Sequence, residues 1–535
     1  MPCQSTALSG AKQQEKDVMS DYVIGIGGTG ARCVESLIHL CAAGLGPERL
    51  FPVLIDPDGA NGNLRHTTQL IDGYLECRSA LGGANLEIFG TEIVSPKLEA
   101  GNLKRHWSPL EDMLAKDPTS VPCLNSYFGY TDLDKSSRDV CRLLYSEAEL
   151  TENLTRGFLG HPNIGAPVMT VLTEQFSKQP FDSLIERIQS DLGAAGQPAR
   201  VFVIASAFGG TGASGFPVLA RILVDEAKNW TQRSMLTIGG ALALPYFFYM
   251  KPDDSQHSFY ADPENFLVNT RAALIHYSQL GPEINSYDTI YYIGEGTLSE
   301  VEPSSGGRDQ KNPSHYVELL GALAALDFFT QPLPETEKKP KTKQKYLGRH
   351  LDSEVSWHDL PNLGTKLVRE NLLYFSTFAI AGLTFGFPLL KHLDDDLSNE
   401  RFLPWYIDHF IRGELVSDAE KTCLGHLRTY LQDFLEWCCQ LSNHPPVQVK
   451  LFNNEALRSL KNSGFSSIDD FLFRNFLADR GGAVKNGFDS IWNTMCSKKK
   501  SLRPQYQSPL GRFVALLYDA AKYFCRENYK IETKR

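Results

Sequence analysis

The sequence contains no CxxC pair, no HExxH, no GxSxG and no GK[ST], and each absence excludes a kind of chemistry. Eleven cysteines lie scattered without regular spacing, and Cys438 and Cys439 are adjacent, a poor geometry for a mutual disulfide. An odd count without metal-ligand spacing predicts reduced thiols and a cytoplasmic location. Thirteen histidines show no ligand-like clustering, so no zinc site is expected. Cations are not in surplus either: 53 Lys and Arg stand against 63 Asp and Glu, a formal net charge of -10. That excludes a general nucleic-acid binder, which needs basic side chains to displace counterions from phosphates. Residues 1–20 are polar, lack an apolar h-region, and read as a disordered tail rather than a signal peptide.

Long apolar runs are scarce as well. LLYFSTFAIAGLTFGFPLL, Leu372 to Leu390, approaches the length of a bilayer span, and Gly382 and Gly386 form a GxxxG. Ser376, Thr377 and Thr384 interrupt it, Pro388 ends it, and strand-favouring aromatics fill it. The expectation is a buried strand with flanking turns and no membrane span.

What is present suffices for two or three domains: 535 residues, 42% of them hydrophobic. DYVIGI reads as a strand, ARCVESLIHLCAAG as a helix and LFPVLID as a second buried strand. This β-turn-α-β unit predicts a parallel sheet with helices on its faces. Regularity weakens over residues 60–154, where a largely helical insertion is expected. ARVFVIAS, MLTIGGALAL and YDTIYYIG read as further strands, PENFLVNTRAALIHY as a helix, and HYVELLGALAALDFF as a helix of the core. The Pro-bearing, basic stretch over 331–350 reads as a solvated linker, and residues 351–535 as a mixed, mainly helical C-terminal domain.

Gly25, Gly27 and Gly30 spell GxGxxG between a strand and a helix, where glycines let the backbone approach phosphates on free N–H groups. With Asp56 at the end of the next strand, the pattern equally fits a Rossmann-type NAD(P)- or FAD-dependent oxidoreductase. A second glycine turn, GGTGASG, follows the strand ARVFVIAS, with a helix expected from near Gly215. Thr211 and Ser214 add hydroxyls. No P-loop lysine follows, so amides, hydroxyls and a metal would meet the phosphate charge. Two anion-binding turns at strand ends of one sheet exceed what a one-loop oxidoreductase needs.

VFVIASAFGGTGASGFPVLA resembles the signature segment of tubulin and FtsZ, in which a GGTG-containing loop wraps the nucleotide phosphates. The family's other loops then have counterparts in order. GIGGTGAR (Gly25 to Arg32) resembles the first phosphate loop. DPDGAN (Asp56 to Asn61) resembles the loop whose acidic residue lies near magnesium, with Asp58 the better match. TRGFLGHPNIG (Thr155 to Gly165) is similar to the FtsZ loop that senses the γ-phosphate, and ENFLVNTRAALIHY to the helix whose Asn, here Asn269, meets ribose or base. The likeness covers roughly Asp21 to Phe329 and is greatest to the divergent bacterial tubulin-like proteins.

The resemblance implies a Rossmann-like α/β GTP-binding domain over 21–330, with GTP or GDP and Mg2+ as ligands. It implies nucleotide-controlled assembly, into filaments or with a protein partner. Its site residues would be Gly25, Gly27, Gly28, Thr29, Gly30, Asp56, Gly160, Asn163, Gly209, Gly210, Thr211, Gly212, Ser214 and Asn269, with Asp58 near the metal. The GxxNxD-like motif that completes hydrolysis in that family is not found after Phe329, which leaves GTPase activity open. Asp394, Asp395 and Asp396 read as solvated surface, and Asn312, His315 and Glu318 as a helix cap. A nucleotide-free scaffold with the same fold is the remaining alternative.

Overall fold

Tyr22, Val23, Ile24 and Ile26 are the residue types that fit a pleated, buried surface, and they build the central strand β1 (Ser20–Ile26). The computed structural model describes residues 20–82, 87–95, 105–117, 119–170, 180–193, 197–250, 263–281, 286–302, 307–332, 342–349, 354–361, 365–388, 390, 417–453, 455–457, 487–497, 506 and 508–529. On one side of β1 lies β2 (Arg49–Ile55), which also pairs the short strands β3 (Glu92–Ile93) and β4 (His106–Trp107). On the other side follow β5 (Ala199–Ser206), β6 (Leu236–Ala243), β8 (Thr289–Glu295) and β10 (Lys343–Arg349). The order is β10-β8-β6-β5-β1-β2-β3, and every described pairing in this sheet is parallel. A separate two-stranded ribbon joins β7 (Phe247–Tyr249) to β9 (Ser299–Val301).

Period-two alternation sends each strand's side chains to two cores. Tyr22, Ile24, Val201, Val203 and Ile238 face one layer, formed by α7 (Pro162–Met169), α8 (Phe181–Gly193) and α9 (Gly210–Glu226). Val23, Leu54, Phe202 and Ile204 face α1 (Gly27–Ala42), α2 (Gly62–Ala80) and α11 (Tyr316–Thr330). Helix α10 (Pro263–Leu280) lies beside α9. The helix α11 is apolar on all sides because sheet, α1 and the C-terminal helices cover it.

Three expectations change. Much of the 60–154 insertion belongs to the sheet layer: α2 packs on α1, and β3 and β4 extend the sheet. Only the short helices α3 (Glu111–Lys116), α4 (Leu124–Phe128), α5 (Lys135–Leu144) and α6 (Glu147–Thr151) remain as an addition. Part of the 331–350 linker, Lys343–Arg349, is the outermost strand, since its backbone pairs with β8 while Lys343 stays exposed and Lys345 pairs with Asp327. The apolar run is no strand. It lies in α12 (Thr365–Ala381) and a π-helical turn over Gly382–Gly386, with Leu372, Phe375, Phe378 and Ile380 buried. Its length suits a helix buried on several faces better than a strand.

Helices α13 (Asp418–Leu441), α14 (Gly487–Ser497) and α15 (Pro509–Asn528) continue the same apolar cluster as α1 and α2. His39 of α1 sits among Tyr430, Phe434 and Trp437, with ring centroids 5.7, 5.6 and 4.9 Å away. Among the described residues no helix is long and apolar enough to cross a membrane, and every cysteine is free. The tail over residues 1–19 and the Asp394–Asp396 triplet lie outside the described residues.

Candidate functional site

The chain leaves β1 toward β2 on one side and later places β5 on the other, so a crevice opens beyond the carboxyl ends of these two strands. Their register pairs Gly25 with Ile204. The two glycine turns therefore emerge side by side, about one strand spacing (~4.8 Å) apart. A Cβ built on Gly27 would lie 3.5 Å from Thr211 Cβ and 3.6 Å from the Gly212 nitrogen, which puts the turns in contact. Gly27 also needs its φ of +73°, a left-handed conformation open to glycine. Gly30 serves packing instead. Its Cβ would sit 2.6 Å from the Ile204 carbonyl oxygen, so only glycine lets α1 start against β5.

Both helices begin earlier than the sequence suggests. Helix α1 starts at Gly27 and α9 at Gly210, so the glycine turns are themselves first helical turns. Neither helix has a side-chain cap, and neither carries an acidic residue in its first turn. Several other helices do have side-chain caps. Asn61 Oδ1 accepts from the Asn63 and Leu64 amides at α2, and Ser417 and Ser508 do the same for α13 and α15. The spare N–H groups and the positive ends of two helix dipoles thus converge on one crevice, the arrangement that receives anions.

That crevice is a cleft lined by both glycine turns. Of the expected residues, Gly27, Gly28, Thr29, Asp56, Gly160, Gly209, Gly210, Thr211 and Gly212 line it. Gly157 and Gly160, at φ +82° and +76°, and Leu159, at φ +43°, shape a loop that overhangs the second glycine turn. A non-glycine residue held left-handed is a strained conformation of the sort that clusters at ligand sites. The cleft also has an aromatic wall. Phe266 stands 5.1 Å from Phe208 and 6.0 Å from both Phe247 and Tyr249, ring centre to ring centre. The cleft therefore offers both backbone donors and flat apolar surface.

Asp56 is buried at the cleft wall, and one of its oxygens accepts from the Asp58 amide, 2.9 Å away. Burial pushes its carboxyl up to about 8; the Asp58 amide pulls the other way without prevailing. Asp58, the residue expected near a metal, does not line the cleft. Its Oδ1 accepts from the Ala60 amide at 3.0 Å and its Oδ2 from the Gly307 amide at 2.7 Å. Asn61 donates to Gln310 Oε1 at 2.9 Å, and the Asn312 amide to Asn63 Oδ1 at 2.9 Å. These bonds strap residues 307–312 onto the start of α2 and make Gln310 part of the cleft wall.

Three further expected residues point elsewhere. Asn269 donates to the Gly160 carbonyl at 2.6 Å and faces a groove between α7, α9 and α10. Asn163 lines that groove too and donates to Glu149 Oε1 at 2.7 Å. Ser214 falls inside α9, so its hydroxyl donates back to the Gly210 carbonyl at 2.7 Å. Gly25, like Gly30, is a packing glycine outside the lining. His315 and Glu318 form the expected capping box, and Glu318 also binds Arg32. Arg32, Phe208, Phe247, Tyr249, Phe266 and Gln310 line the cleft without having been singled out. Arg32 stood within the quoted first loop; the aromatics looked like any core residues, and Gln310 is brought in from 249 residues beyond Asn61.

No protein-family model and no curated protein sequence matches the chain. Solved structures similar to part of it include CetZ from Methanosaeta thermophila, 13% identical at a TM-score of 0.23, and CetZ2 from Haloferax volcanii as a GTPγS-bound protofilament, 16% identical at 0.24. Each match covers 52% of this chain, and it spans 46% and 49% of those structures, about half their length. At these TM-scores neither likeness bears on what the chain binds.

Proposed function

We propose that the cleft binds a guanine nucleotide and that the chain is a GTP-binding protein of tubulin/FtsZ type, whose nucleotide state governs assembly with itself or a protein partner. The phosphates rest on the amides of Gly27, Gly28, Thr29 and Gly209 to Gly212, and the base lies against Phe247, Tyr249 and Phe266. One observation carries this: two uncapped, acid-free helix starts from adjacent parallel strands open into the same cleft. A dinucleotide oxidoreductase needs one such start, and a scaffold needs none.

Asp56 suits a divalent cation. It is a buried carboxyl group beside amides suited to anions, nothing cationic is among the influences on its proton, and a bound cation would favour its ionised form. Among the described residues no group of three or more His, Cys, Asp or Glu could hold a metal without help. Mg2+ fits that situation, since it takes one or two carboxylates together with phosphate oxygens and water. There it would neutralise phosphate charge while Asp56 holds it in place.

Thermal unfolding of the full-length protein with GTP, GDP, ATP and NADH, each with Mg2+, tests the proposal. At a hundred times Kd, GTP adds about 2.7 kcal/mol of apparent stability. Stabilisation by NADH alone, or by no nucleotide, sinks it. Light scattering on adding GTP then separates assembly from simple binding.

A further inference from the structure

Arg32 lines the cleft, in the second turn of α1, and is almost wholly buried. Two of its three guanidinium nitrogens are engaged. Nε donates to Glu318 Oε1 at 2.5 Å, and Nη2 donates to Tyr246 Oη at 2.9 Å. Glu318 is itself fixed, its other oxygen accepting from the His315 amide at 2.9 Å. The third nitrogen, Nη1, makes no hydrogen bond to a described residue and lies 3.7 Å from where a Cβ on Gly28 would be. It therefore stands on the side of the cleft where the first glycine turn presents its amides. Burial works against the charge on Arg32, but Glu318 and Tyr246 outweigh it and hold the guanidinium protonated above its ordinary range.

An arginine confined in this way loses little freedom when it binds a ligand, and its planar fork matches a phosphate. We propose that Arg32 is a side chain that contacts the ligand's phosphates, and that Glu318 and Tyr246 are positioning residues that aim it. This rests on the nucleotide reading of the cleft and adds a buried, held cation beside the glycine turns; Arg156 also lines the cleft, but without the bonds to Glu318 and Tyr246 that hold Arg32. It also makes the cleft selective for phosphorylated ligands over bare nucleosides.

The test uses the full-length protein and compares GTP, GDP and guanosine by calorimetry across a salt series. Arg32→Gln alone leaves Glu318 buried without its partner, so the variants are Arg32→Gln/Glu318→Gln, which removes both charges, and Arg32→Lys, which keeps the charge without the fork. The double variant is expected to weaken GTP and GDP about 10- to 100-fold, to leave guanosine within about twofold, and to flatten the salt dependence of GTP binding. Arg32→Lys should recover part of the loss. Tyr246→Phe, which frees Nη2, should weaken GTP about 3- to 10-fold while the salt dependence stays. If wild-type protein binds none of these ligands, the nucleotide reading falls and the Arg32 role with it. If wild type binds and the charge-free or lysine variant binds all three ligands as tightly, or loses guanosine in step with GTP, the role of Arg32 is overturned while the cleft stands.

Discussion

Helix α1 belongs to two regions built on opposite plans. Its first turn opens into the cleft with no cap, no acid and glycines where side chains would stand. Its later turns lie under α13, where His39 is enclosed by three aromatic rings and Trp437 Nε1 donates to Ser36 Oγ at 3.2 Å. Spare donors and missing Cβ atoms leave room and unmet hydrogen bonds, which cost stability until a ligand arrives. The aromatic layer fills its volume and contributes stability that the cleft does not. Function sits where the chain withholds groups, and stability where it packs them.

The largest test of that contrast is Trp437→Ala. Emptying a fully buried site of this size should cost about 3–5 kcal/mol in urea unfolding, while the Kd for GTP of the protein that remains folded changes less than about twofold. An affinity that fell along with stability would show that the two regions are not separate. Next comes Gly209→Asp, which supplies the missing cap at α9. Gly209 has extended backbone, φ -85° and ψ 153°, that aspartate adopts, and only the Ser206 hydroxyl has to move. The unliganded protein should gain about 1 kcal/mol and lose more than tenfold in GTP affinity. Gain in both quantities would mean that the helix start is not where the phosphates lie.

A third test, Asp56→Asn, depends on pH. The folded-state value near 8 lies above the ordinary carboxyl value of 3.8. From about pH 4 to 8 the unfolded chain releases this proton while the folded chain keeps it, so the carboxyl's contribution is present at low pH and is lost as pH rises. Thermal scans without ligand should show no advantage for the variant near pH 4 and about 1 kcal/mol or more at pH 8. With Mg2+ and GTP the order reverses, because the asparagine cannot hold the cation. Equal differences at both pH values would remove Asp56 from the cleft's electrostatics.

Local patterns made much of this legible. DYVIGI, LFPVLID and ARVFVIAS became β1, β2 and β5, since continuous β-branched and aromatic runs suit strands buried on both faces. The glycine turns stood out because phosphate-like backbone approach needs glycine at fixed offsets within a few residues. The run from Leu372 is helical although its sequence fits a strand as well, since apolar residues on every side carry no periodicity to tell helix from strand. Lys343–Arg349 looked like solvent-facing linker because an edge strand can keep its side chains in water while its backbone pairs. Asp58 and Asp56 sit two residues apart in one loop. Which of them faces a ligand depended on the Gly307 amide arriving from the far part of the chain.

By itself the sequence determined which strands would be buried and where backbone donors would be left without partners, because both follow from side chains a few positions apart. The tertiary structure decided what those donors face. Pairing of β1 with β5 brought two turns some 180 residues apart into contact, while the β7–β9 ribbon, α10 and the 307–312 loop delivered the aromatic wall and Gln310 to the same cleft. Contacts made across such distances are set by sheet order and helix packing, and no short window of residues contains them.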